Sequence, residues 1–204
     1  MDFGHATLRT EDSRTVARER EVRPLFTMRA LDERHWTDLV CCQTFRFLEA
    51  MKKIRYVARV DPDVRYPQEE FAELLQIYLA DPDGWEAHGY TFELVKSHPD
   101  VIIRLSSPAT IADICGLPNN LSCAEVGGRH MYLNAMRWVH GSQKSGQDLA
   151  GYRQYVVSHE MGHILGHEHV KCPGPGHPAP IMMQQTLGID ECTANTRITK
   201  SDVQ

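Results

Sequence analysis

The sequence predicts an α/β (α+β) fold, a twisted mixed sheet packed on helices, and two observations carry that prediction. Strand-like alternation recurs at 54–60, 91–95, 101–105 and 131–138, with one helical period between the first two runs. Downstream, the stretch from Val156 to His169, VVSHEMGHILGHEH, has helical spacing and a concentration of histidines. A chain of 204 residues can bury one good core and carry an extension, but two full domains would be a squeeze. The expected division is an N-terminal extension, 1–53, and a main domain, 54–204.

Composition excludes several classes. No apolar run approaches the eighteen or so residues of a membrane span, so membrane insertion is not expected. The net charge of −5 is modest, and no basic stripe interleaved with aromatics tracks a phosphate backbone, which argues against nucleic acid. Residues 1–21 mix acids and bases and lack the apolar core of a secretory signal; either this route of export is not used or the signal is not in this sequence. The six cysteines pull the other way. Cys115 and Cys123 flank a Gly-Leu-Pro-Asn-Asn loop, and Cys172 and Cys192 bracket a proline-rich segment. Both pairs suit disulfides in an oxidising compartment, with reduced buried thiols in a cytosolic protein as the alternative. Cys41 and Cys42 are adjacent and read as core or surface thiols.

Taken in order, residues 1–24 are charged and aperiodic, a loosely packed arm. Leu31, Trp36, Leu39, Val40, Phe47, Leu48 and Met51 recur at helical spacing, and Lys52-Lys53 suit a helix C-terminus. That helix is a structural brace, or else an inhibitory or partner-binding segment. Ile54 to Val60 alternates as a strand that Asp61-Pro62-Asp63 ends. Pro67-Gln-Glu-Glu opens a helix with Phe71, Leu74, Leu75, Ile77 and Tyr78 behind it, closed by Asp81-Pro82-Asp83-Gly84. Strands follow at Thr91–Val95 and Val101–Leu105, then a short helical piece at Thr110–Cys115 and a strand from Met131 to Trp138. Ser145-Gly-Gln-Asp148 supplies a capping box for the long helix, along which Val157, Met161, Ile164 and Leu165 form a buried stripe. The tail beyond Thr193 is short and polar, and little is expected of it.

The long helix carries the chemistry. His159 and His163 stand four apart, which puts both imidazoles on one face about 6 Å apart along the axis. Glu160 between them need not ligate: in H-E-x-x-H sites it takes a proton from water acidified by zinc. Both His167 and His169 are available as a third ligand. On a continuing helix His167 would lie roughly 12 Å along the axis from His159, too far to share one ion. Gly166 can end the helix at positive φ, so the chain turns and His169 swings back beneath the metal. His167, Glu168 and His177 are neighbours or solvated groups.

His159-Glu160-x-x-His163-x-x-Gly166-x-x-His169 resembles the extended zinc signature of the metzincin metallopeptidases, and Pro180-Ile181-Met182-Met183 resembles their Met-turn. From Arg55 to Cys192, through Tyr152-Arg-Gln-Tyr-Val, Cys172-Pro-Gly-Pro-Gly and Pro178-Ala-Pro, the chain is further similar to a metzincin-like domain common in actinobacterial secreted proteins. The resemblance implies a metzincin-like sheet with an active-site helix, a Met-turn and a small irregular C-terminal subdomain. It also implies one zinc ion per chain on His159, His163 and His169, hydrolysis of a peptide or protein substrate with Glu160 as general base, and a secreted location. Met182 fits the pattern better than Met183 as the thioether under the histidines. By the same resemblance, Met131–Trp138 is the cleft-edge strand to which an extended peptide adds; an interior strand is the alternative. Several metzincins place a tyrosine two residues after that methionine, where this chain has Gln184, so oxyanion help falls to its amide, the zinc alone or backbone donors. A reading of another class is a non-catalytic, zinc-stabilised binding module. Glu160 argues against it, since structural zinc sites fill all four positions with protein ligands.

Overall fold

The computed structural model describes residues 51–204 apart from Leu117 and Asn119. The arm over 1–24, the expected helix up to residue 50, and Cys41 and Cys42 lie outside the described residues; Met51 is in a bend, and Lys52-Lys53, expected at that helix's C-terminus, open a strand instead. The first strand, β1 (Lys52–Val60), begins two residues ahead of the expected boundary at 54. After it come α1 (Gln68–Leu79), β2 (Tyr90–Leu94), β3 (Val101–Ser106), α2 (Pro108–Cys115), β4 (Cys123–Ala124), β5 (His130–Asn134), α3 (Ala135–His140) and α4 (Leu149–Ile164). The sheet order is β2-β1-β3-β5-β4, parallel throughout except for β4, which runs antiparallel to β5. The mixed sheet on helices expected from the sequence is therefore present. No described helix is long and apolar enough to cross a membrane.

Alternation gives the sheet one buried face. Ile54, Tyr56 and Ala58 of β1, Val101, Ile103 and Leu105 of β3, and Met131 and Leu133 of β5 join one core with Phe71, Leu75 and Leu79 of α1 and the inner residues of α4. Each large apolar side chain so buried is worth about 1.5–3 kcal/mol. Between β2 and β3 the Ser97–Asp100 turn crosses β1, because β2 pairs with β1 up to Tyr56 and β3 pairs with it from Tyr56 onward. Arg55 pins that crossing: its Nε and NH2 groups donate to the two oxygens of Asp100 at 3.0 and 2.8 Å.

The expected strand over 131–138 is corrected. It ends at Asn134, whose side chain accepts from the Met136 and Arg137 amides and starts α3. The helix carries Trp138 back into the core, edge-on to Phe71 at 5.2 Å and to Tyr78 at 6.1 Å, contacts that a continued strand would forfeit. Nor is β5 the sheet's edge: it lies between β3 and β4, and the two-residue β4 is outermost among the described strands. The helix cap also moves. Asp148, not Ser145, caps α4, accepting from the Gly151 amide at 2.7 Å, while Ser145 closes a 3₁₀ turn, Gln143–Ser145. From Tyr152 onward α4 is buried on nearly every side rather than along one stripe.

Candidate metal centre

Two of the three site histidines come from α4 itself, and what surrounds the helix sets their orientation. The Nδ1 of His159 lies 2.6 Å from the Ile181 carbonyl, and that of His163 lies 2.8 Å from the His167 carbonyl. A carbonyl only accepts, so each Nδ1 is the protonated nitrogen and each Nε2 keeps its lone pair for another partner. Burial lowers the His159 pKa to about 3, with His163 beside it adding to the effect, and also depresses His163 and His169; all three are held neutral, the form that binds a cation.

The third histidine arrives by a turn. Gly166 takes φ of +102°, and its amide and that of His167 donate back to the His163 and Gly162 carbonyls at 2.9 Å each. The Gly127 amide, in the loop after β4, takes the same His163 carbonyl at 2.8 Å. Beyond the turn His169 folds back until its Nε2 stands 3.1 Å from that of His163. The ligand atoms of His159, His163 and His169 all lie within 4.8 Å of one another. Two imidazoles on one tetrahedral ion, each at about 2.0–2.1 Å, would stand roughly 3.4 Å apart, so the trio fits a metal ion. His167 is not part of it: its ring stacks on Trp85 at 4.7 Å and 22°.

Glu160 is 4% exposed, and its Oε2 has no hydrogen-bond partner among the described residues. Burial pushes its carboxyl up to about 8; a cation nearby would draw it back toward the carboxylate. It faces a cavity of about 110 Å³, lined also by the three histidines, Tyr155, Gln184, Thr186 and the segment Leu121–Ala124 that contains β4. His169 and Gln184 are shared with a second cavity of about 320 Å³, bounded by Lys171, Met183, Leu187 and Asp190. Gln184 is exposed, between the two.

Met182 is fully buried and packs against α4 at Gly162. A Cβ on Gly162 would come within 2.3 Å of its Sδ and 2.8 Å of the Trp85 ring, so a glycine in the middle of a buried helix is the condition for this packing. Met183 sits elsewhere, in a small cluster with Ala179 and Cys192. Both disulfides expected from the sequence are formed, Cys115–Cys123 and Cys172–Cys192, the latter with Cα atoms 5.9 Å apart.

Residues 29–203 match the family described as "Protein of unknown function (DUF3152)". The chain belongs to this family. The match opens well upstream of β1, within the extension that the sequence set apart from the main domain. No curated protein matches the chain.

Several supporting residues escaped the sequence reading. Asp202, in the tail from which little was expected, is 3% exposed and accepts the Met182 amide at 2.7 Å through Oδ1 and the Thr199 amide and hydroxyl through Oδ2. Gln185, wholly buried, donates to the Pro180 carbonyl at 3.0 Å and accepts from Gln147 at 2.7 Å. Trp85 donates to the Ser158 carbonyl at 2.8 Å. The Tyr155 hydroxyl is committed to the Met183 carbonyl at 3.1 Å, and burial drives its pKa far up, so it stays a phenol. An Asp in a polar tail carries no periodic signal. Trp85 alone was detectable, as a large apolar residue directly after the helix-closing Asp81-Pro-Asp-Gly84 turn.

Proposed function

We propose that this protein is a zinc-dependent peptide hydrolase of the metzincin kind, holding one zinc ion on His159, His163 and His169. The observation that carries the proposal is the pairing of three neutral imidazoles, close enough to share one ion, with a buried carboxyl group that lines the same cavity and has one oxygen without a partner among the described residues. A site of three nitrogen donors with one side open to a cavity has the donor set of catalytic rather than structural zinc. Zinc there would polarise a peptide carbonyl as a Lewis acid and acidify water to a pKa of about 7.

The chain's own residues supply the rest. Glu160 Oε2 accepts the proton of the attacking water and returns it to the leaving amine. His159 and His163 are held at their Nδ1 atoms by backbone carbonyls, so their Nε2 atoms need little reorganisation to meet the ion. The edge of β4 that no described strand covers, beside the cavity, is the place for an extended peptide, a role that the sequence had assigned to 131–138. Gln184, which lines the same cavity, would steady a developing oxyanion through its amide. The test is Glu160→Gln: zinc retained, with hydrolysis of a peptide library lost. A wild-type protein that binds zinc and cleaves nothing would return the reading to a zinc-stabilised binding module.

A further inference from the structure

The metal cleft has a neighbour across the same strand. Among the described residues β4 pairs with β5 alone, and the edge it leaves uncovered there offers backbone groups to a chain laid along it. In its register Ala124 faces Met131 and Cys123 faces Tyr132. Met131 belongs to the buried face under α4, whereas Tyr132 alternates to the opposite face, with the Arg104 guanidinium 5.6 Å from its ring centroid. There a cavity of about 410 Å³ opens between the end of α2 and β5, walled by Ile114, the Cys115–Cys123 disulfide and Tyr132, with Glu125 and His130 also lining it. Cys123 and Ala124 line this cavity and the metal cleft alike, which makes β4 the partition between them.

Successive side chains of an extended peptide point to opposite faces of a sheet. A chain added to β4 with one side chain directed at the metal cleft must direct the next toward the cavity behind. We propose that this cavity is a second specificity subsite, which takes a large apolar side chain (Leu, Phe or Tyr) from a peptide bound along β4. The proposal rests on the reading of the metal cleft as a peptide site. The occupant follows from the walls. Ile114 is 49% exposed, and with the disulfide and the tyrosine ring it presents apolar, polarizable surface whose covering releases water. A volume of about 410 Å³ is ample for one large side chain.

The experiment uses the full chain loaded with zinc and a synthetic library of short linear peptides, each position varied in turn. The expected result is enrichment of Leu, Phe or Tyr one residue from the side chain that enters the metal cleft, with selectivity over Gly at that position of roughly tenfold or more, mostly in KM. Ile114→Asp, at an exposed position, should bring that ratio near one, with zinc content and far-ultraviolet circular dichroism as in wild type. A flat profile at that position, a preference there for Lys or Arg, or an unchanged ratio in Ile114→Asp would overturn the subsite. If the wild type cleaves no peptide, fluorescence anisotropy of the same peptides on the zinc-loaded protein decides. Apolar-selective binding weakened by Ile114→Asp keeps the subsite and sinks the hydrolase; no selective binding sinks the subsite.

Discussion

Two regions hold the candidate metal centre, and they are built on opposite principles. α4 is regular, buried nearly all round, and delivers His159, Glu160 and His163 by its own repeat. The segment from Leu165 to Thr199 delivers His169 and Met182 with no helix or strand beyond one isolated bridge, Pro178 to Thr193. A helix fixes side chains four apart through its own backbone hydrogen bonds. An irregular segment must be fixed from outside, and here the ties are Asp202 on the Met182 amide, Gln185 on the Pro180 carbonyl and the Cys172–Cys192 bond. Loss of a candidate ligand or of Glu160 should therefore remove function outright, and loss of one of the ties on the irregular side should loosen it by degrees.

The largest effects fall on Glu160 and the three candidate ligands, of which only His169 lies outside α4. Glu160→Gln should lower peptide hydrolysis by roughly 10²–10⁴-fold with zinc still bound, measured by single-turnover assays beside metal analysis. His159→Ala, His163→Ala or His169→Ala should lose the zinc, whereas His167→Ala should keep it, because its ring lies on Trp85. Zinc lost from His167→Ala at native helix content would break the assignment of ligands.

On the irregular side, the Cys172→Ser, Cys192→Ser pair opens a loop spanning 20 residues of sequence. The chain-entropy model assigns such a loop about 3 kcal/mol. Zinc dissociation, followed with a chromogenic chelator, should accelerate well before the helix signal melts; the Cys115→Ser, Cys123→Ser pair should leave zinc retention alone. Equal effects of the two pairs would erase the contrast between the regions.

Asp202→Ala strands the buried Met182 amide and the groups of Thr199, and should cost about 1–3 kcal/mol in urea unfolding. Because Ile181 and Met182 carbonyls hold His159 Nδ1 and the Val170 amide, zinc affinity should fall with it. A drop in stability with unchanged affinity would make the tail a brace only.

The smallest effect lies far from the site. Arg55 holds the Asp100 carboxyl down to about 2, below the unfolded value of roughly 3.9. Its stabilisation is thus complete above about pH 4 and is lost as pH falls through about 2. Asp100→Asn should flatten that part of the stability curve slightly, since both partners are well exposed. An unchanged acid limb would show that the crossing turn does not depend on this pair.

Sheet, α1 and α4 were legible in the sequence because alternation and helical period are local, and so were His159, Glu160 and His163, whose spacing needs only a helix. His169 was legible through Gly166, whose positive φ breaks that helix at the required place. The two disulfide pairings were readable from cysteine placement around loops. What sequence could not decide were properties of neighbours distant along the chain. Asn134 ends a strand because Trp138 finds Phe71 and Tyr78, and β4 takes the edge because two residues suffice once β5 is there to pair with. Gly162 is a glycine because Met182 and Trp85 meet above it, and Asp202 matters because it is buried against a turn twenty residues back. Local spacing determined which residues could bind a metal; packing across the chain decided which way they point.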